Sequence, residues 1–234
     1  MLSSKKIVDF HLLGIKLLVF LIPFLPLYIS TSIYFPYIAG KNFAFRIVIE
    51  LAAALWLVLV WFKKEYRLQN SKIMFSILFF TFIVGLADIT GVNPYNSFWS
   101  NYERMEGYIT ILHLVLYFCI LKSILRTRRD WTVFLNLLLV AGTFAGVYAI
   151  AMPSINAPRY VMEYGARISG TIGNPPLLAS YLLLIASIGL ILITRTQENL
   201  LRICYAVSVF LNLIAIFFTS SRCLRASSFV DFFQ

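Results

Sequence analysis

The chain has 234 residues, 20 Lys+Arg against 10 Asp+Glu for a formal net charge of +10, and a mean hydropathy of +0.84. Sixty per cent is AVILMFWYC and 13% is charged, against about 45–50% apolar and about 25% charged in a soluble domain. These values exclude a disordered chain, a soluble nucleic-acid binder and a disulfide scaffold, and they point to an all-α, polytopic membrane protein.

A helix crossing about 30 Å of hydrocarbon needs roughly 20 mostly apolar residues. Seven stretches qualify: 12–30, 44–62, 73–90, 108–125, 132–151, 177–194 and 201–218. The first has a basic start at Lys5 and Lys6 but no A-x-A cleavage site, and Pro23 and Pro26 interrupt it. It reads as a retained, kinked span, with Lys16 near enough to one edge to snorkel to water. Most of the basic residues fall in tight clusters that share one side if the N-terminus is inside: Lys5 and Lys6, Lys63 to Lys72, Lys122 to Arg129, then Arg195 and Arg202. The positive-inside rule then places the N-terminus inside and the C-terminus outside. Most of the +10 is topological on this reading, and nucleic acid is not an expected partner.

The loops on the other side, 31–43, 91–107 and 152–176, are longer and hold basic residues that insertion does not require. In the first loop, Lys41 and Arg46 follow a cluster of aromatics. These are placed either as an interfacial belt or to face an anionic ligand. Glu50 is spaced i,i+4 from Arg46, so an ion pair along one helix face is expected. Asp88, near the outer end of the third span, is placed to cap that end or line an outer cavity. In the second loop, Trp99 and Tyr102 suit an interface belt or a sugar platform, since both stack and both donate hydrogen bonds. Glu103, Arg104 and Glu106 read as the opening of the next helix, and His113 as a hydrogen-bonded core residue. In the third loop, Gly170, Gly173, Asn174, Pro175 and Pro176 make a tight turn into a helix. Free N–H groups there can receive an anion beside Arg167.

Cys119, Cys204 and Cys223 form no C-x-x-C and no Cys/His cluster, so no metal site and no cofactor are expected. Neither a P-loop nor an H-E-x-x-H motif is present. Arginines and aromatics converge on one side. That combination suits a lipid-linked diphosphate sugar.

Four segments carry a family resemblance: Tyr34 to Phe43 (YFPYIAGKNF), Ser97 to Gly107 (SFWSNYERMEG), Arg167 to Pro175 (RISGTIGNP) and Thr219 to Arg222 (TSSR). In order and loop placement, over roughly residues 31–222, the chain resembles the bacterial O-antigen ligase and polymerase family of membrane glycosyltransferases. The resemblance implies an all-helical fold of about ten to fourteen spans in the bacterial inner membrane. It also implies metal-free transfer of a glycan from undecaprenyl diphosphate to lipid A core or another acceptor. By motif position Arg167 and Arg222 look like the arginines that bind the diphosphate and help it leave. Lys41, Arg46, Trp99, Tyr102, Arg104, Gly173 and Asn174 would line the substrate site. The family's later loop, with its histidine, has no counterpart here, and residues 223–234 depart from the pattern. The expectation is therefore a single transmembrane domain over 1–234, the N-terminal part of a larger fold. A flippase of polyprenyl-linked sugars and an inactive membrane remnant stay open as alternatives.

Overall fold

The computed structural model describes residues 4–151 and 168–220. Those residues are helical with no strand. The helices are α1 (Ser4–Leu21), α2 (Ala39–Phe62), α3 (Lys72–Thr90), α4 (Pro94–Trp99), α5 (Tyr108–Ile124), α6 (Arg128–Ala151), α7 (Pro175–Arg195) and α8 (Asn199–Ser220). Six segments are long and apolar enough to cross a bilayer: Val8–Leu27, Ala39–Phe62, Lys72–Thr90, Arg128–Ala151, Pro175–Arg195 and Asn199–Thr219. The apolar helix Tyr108–Ile124 is shorter. This is a polytopic membrane protein of about seven spans, and each expected stretch corresponds to one helix.

The interruption in the first span has the cause read from its prolines. The α-helix stops at Leu21 and the chain continues as a 3-10 segment, Ile22–Leu27, containing Pro23 and Pro26. Proline lacks the N–H that an α-helix interior needs.

The chain divides into two compact units. The first comprises residues 1–25 and 29–132. In it α1 packs on α2, and α5 packs on α1, α2 and α3. Ile15 and Val19 of α1, Ile49, Ala52 and Leu59 of α2 and Ile120 and Ile124 of α5 are buried. By contrast α3 buries only Met74, Thr81 and Gly85 and leaves Phe75, Phe79, Phe80 and Phe82 exposed. Such a helix is stable where its surroundings are as apolar as its side chains.

The Lys16 amine has a specific partner at the start of α6. Its Nζ donates to Asp130 Oδ1 at 2.6 Å. Asp130 also accepts from the Thr127 amide (3.3 Å) and hydroxyl (2.8 Å), while its own amide donates to Thr127 Oγ1 at 3.0 Å, a reciprocal cap at the start of α6. The carboxylate thus closes a helix end and neutralises a cation inside a span. Asp130→Asn is expected to lower stability by about 2 kcal/mol, because the lysine loses its countercharge in an apolar setting. Unfolding in mixed micelles measures it, and an unchanged midpoint would refute the pairing.

The turn between α2 and α3 is tied down too. Trp56 Nε1 donates to the Tyr66 carbonyl, Lys122 Nζ to the Gln69 carbonyl and Ser71 Oγ, and the Arg126 guanidinium lies 4.5 Å from the Tyr66 ring centroid.

The second unit comprises residues 26–28 and 133–234. Small residues Ala141, Gly142, Ala145, Gly146 and Ala149 of α6 are buried, and a Cβ on Gly142 would collide with Ile185 of α7. Small side chains let spans approach closely, and interhelical hydrogen bonds add to the packing. Here Asn212 of α8, fully buried, donates to Thr143 Oγ1 (3.0 Å) and to the Ser208 carbonyl (2.8 Å). Tyr205 Oη donates to Asn136 Oδ1 at 3.0 Å.

Candidate functional site

In the first unit, the two longest motif segments come together. The second of them forms α4 and a turn. Asn93 Oδ1 accepts from the Asn96 amide at 3.2 Å and Pro94 occupies the first helical turn. Asn-Pro is a helix-start signal that sequence reading alone had available. The helix ends at Ser100, φ 63°, and the turn holds a second non-glycine residue in the left-handed region, Met105, φ 53°. Such backbone persists only where neighbours over-determine it.

Arg46 is one such neighbour. Its Nη2 donates to the Met105 carbonyl (3.2 Å) and to Thr110 Oγ1 (2.7 Å). Thr110 Oγ1 also donates to the same carbonyl at 2.7 Å. The expected Arg46–Glu50 ion pair is not formed. Arg46 instead fastens the 101–107 turn to α2, and Glu50 reaches across to α5, where its Oε1 lies 3.1 Å from His113 Nε2. The other ring nitrogen of His113, Nδ1, lies 2.7 Å from the Ile109 carbonyl, to which it must donate. The Nε2 contact then needs a further proton, held either by the imidazolium or by the Glu50 carboxyl. In both cases the pair is net neutral, which suits its place halfway along α2 (Ala39–Phe62). His113 is a buried, hydrogen-bonded residue as expected.

Tyr102 belongs to the same junction. Its ring centroid lies 6.1 Å from Phe35 and 6.4 Å from Phe43, yet the side chain stays half exposed. Trp99, also half exposed, stands edge-on to Phe98 with centroids 5.0 Å apart. Lys41 is half-buried on the first turn of α2. Glu103, Arg104 and Glu106 are exposed in the turn. None of them opens a helix, because α5 begins at Tyr108 with Gly107 at its cap. Lys41, Arg46, Trp99, Tyr102 and Arg104 therefore belong to one region, built from the start of α2, the end of α4 and the 101–107 turn.

Gly173 and Asn174 lie in the second unit. Gly173 is left-handed, φ 79°, and ends a 3-10 turn, Gly170–Ile172. Gly170 is left-handed as well, φ 53°, and a Cβ there would stand 2.7 Å from Ala149 Cβ. Asn174 sits at the cap position of α7 but its side chain makes no capping bond, and its Oδ1 is buried without a partner. Pro175 and Pro176 supply no N–H, and the Leu178 amide is used by the Asn174 carbonyl at 2.9 Å. The helix start therefore offers an anion few amides and leaves the buried Asn174 oxygen open to a donor. Arg167 and Arg222 lie outside the described residues, as does Cys223. Thr219, at the head of the Thr-Ser-Ser-Arg segment, is buried near the end of α8. Among the described residues no cluster of His, Cys, Asp and Glu could hold a metal ion.

The Arg46 tie and the Glu50–His113 pair escaped sequence reading because both join residues far apart in the chain. No family model, no curated protein and no solved structure matches this chain.

Proposed function

We propose that the chain is a membrane glycosyltransferase of the O-antigen ligase type, acting in the bacterial inner membrane. It would transfer a glycan from undecaprenyl diphosphate to lipid A core or another acceptor hydroxyl. One observation carries the reading furthest: Tyr102 joins the Tyr34–Phe43 and Ser97–Gly107 segments, and Arg46, one turn beyond Phe43, ties the second segment to α2, giving one region of aromatic rings and cations. Aromatic faces suit sugar rings, and cations suit phosphate oxygens.

In the reaction the acceptor oxygen attacks the anomeric carbon. The bond from that carbon to the diphosphate oxygen breaks, and the acceptor proton leaves to a base. Arg167 and Arg222 are proposed to bind the departing diphosphate, where fixed cations lower the barrier as negative charge develops. In the first unit Lys41, Trp99, Tyr102 and Arg104 are proposed to contact the donor, and in the second unit Gly173 and Asn174 are. Arg46 has its Nη2 committed to the protein, so its part is to hold the turn.

A second reading, translocation of polyprenyl-linked sugars, draws support from the ionisable Glu50–His113 pair within the spans. One experiment separates the two. The full chain is reconstituted in liposomes with an undecaprenyl-diphosphate oligosaccharide and a core acceptor. A transferase makes a covalent product, whereas a flippase exposes the donor on the other leaflet and makes none. Arg167→Ala and Arg222→Ala are each expected to reduce product formation at least about a hundredfold with insertion unchanged. Lysine should restore little, since the bidentate fork is lost. Normal rates in either alanine variant would remove that arginine from the mechanism.

A further inference from the structure

Where α3 passes into α4, a cavity of about 530 Å³ is lined by Phe82, Gly85, Asp88, Tyr95, Phe98 and Tyr108, among others. Asp88 is its only charged lining residue. The Asp88 carboxyl makes no hydrogen bond and no ion pair with any described residue, although it lies near the end of an apolar helix. An unpartnered carboxylate in an otherwise apolar lining offers a cation its countercharge.

The rings around it are held in place before any ligand arrives. Tyr108 lies against α3, with its Oη donating to the Thr81 carbonyl at 3.0 Å. Gly85 makes the room, because a Cβ there would come within 2.6 Å of Tyr108 Oη and 2.9 Å of its Cζ. Phe98 stands 6.0 Å from the Tyr108 centroid, tilted by 53°, and Trp99 packs edge-on behind it. An inorganic divalent ion would want several oxygen ligands, and the lining offers one carboxylate. A neutral sugar would leave the charge of Asp88 unbalanced. Aromatic faces beside a single carboxylate instead match an organic ammonium group. The rings meet its charge through their quadrupoles, and the carboxylate supplies the counterion.

We infer that this cavity binds the ammonium headgroup of a membrane lipid, with Asp88 as its counterion and Tyr95, Phe98 and Tyr108 as its walls. The lipid source follows from the surroundings. Exposed Phe82, Leu86 and Ile89 extend the apolar lining along the span, so an acyl chain has a continuous surface beside the head.

The test uses the full chain in neutral maltoside micelles. Short-chain phosphatidylethanolamine and phosphatidylglycerol are titrated against it, and retained lipid is counted by native mass spectrometry. In parallel, tetramethylammonium is compared by calorimetry with 3,3-dimethylbutanol, an uncharged alcohol that carries a tert-butyl group. The ethanolamine lipid is expected to bind roughly tenfold more tightly than the glycerol lipid, and tetramethylammonium to bind where the alcohol does not. Asp88→Asn should abolish both preferences and Asp88→Glu should keep them. If Asp88→Asn does not fold, Phe98→Leu, which retains the carboxylate, should weaken the ammonium preference severalfold. Equal affinity for the two lipids in the wild-type chain overturns the proposal. So does a preference that survives Asp88→Asn, or one that Phe98→Leu leaves undiminished. Tetramethylammonium binding without a lipid preference overturns the assignment to a lipid.

Discussion

Replacing His113 with leucine is expected to cost about 3 kcal/mol, and most of that loss should return when Glu50 is made leucine as well. The reason lies in where the pair sits. The Glu50 side chain is 65% exposed halfway along a membrane-crossing helix, and its ion-pair partner among the described residues is His113, itself 10% exposed. Without the imidazole, a carboxyl group faces an apolar medium with nothing to share its proton or balance its charge. Without both, α2 simply presents another apolar side chain, like its exposed Ile47 and Leu51. Glu50→Gln alone should be mild, because an amide N–H can donate to the Nε2 of a neutral His113 while Nδ1–H keeps the Ile109 carbonyl. Unfolding of the wild type, His113→Leu, Glu50→Leu and the double leucine variant in mixed micelles gives the double-mutant cycle. Two single losses that add in the double variant would show that the pair is not coupled.

Gly107→Ala is expected to lower stability by about 3 kcal/mol, the upper end of what overpacking costs, and to disorganise the turn that carries Tyr102 and Arg104. A Cβ at this position would stand 2.4 Å from the Phe98 carbonyl oxygen and 2.7 Å from both the Ser100 nitrogen and the Trp99 carbonyl carbon. All three are backbone atoms, so no side-chain rotation relieves the contact. The φ of Gly107 is −69°, which any residue adopts, so the requirement is for space. The turn would have to open, and the Arg46 bond to the Met105 carbonyl would open with it. Protease sensitivity within residues 98–107 should rise, and the environment of Trp99 should change. A variant with the wild-type unfolding midpoint and an intact turn would contradict the close backbone approach.

The span pattern was legible in the sequence because the bilayer imposes a length and a polarity on each helix independently of its neighbours. Residues 73–90 were read as a span and α3 covers 72–90; residues 177–194 were read and α7 covers 175–195. Boundaries moved where caps and ties decide them. The second helix starts at Ala39 rather than residue 44, which carries Glu50 from one turn inside the span to its middle. The fourth span starts at Tyr108, as its stretch 108–125 predicts, and Glu103 and Glu106 lie before the helix rather than opening it.

Partner choice was not legible. Arg46 and Glu50 are four residues apart on one helix, and local spacing alone pairs them. In the folded unit each finds a better-placed partner on another segment, the Met105 carbonyl with Thr110 for one and His113 for the other. Lys16 was read against water and found Asp130. The sequence by itself determined that the chain crosses a membrane repeatedly, where it kinks, and that its basic clusters lie between spans. These follow from hydrophobicity, proline chemistry and charge, which act residue by residue. Only the tertiary structure decided which ionisable groups neutralise one another and that Asp88 faces an aromatic cavity with no counterion of its own, because those outcomes depend on the distances between helices that meet only after folding.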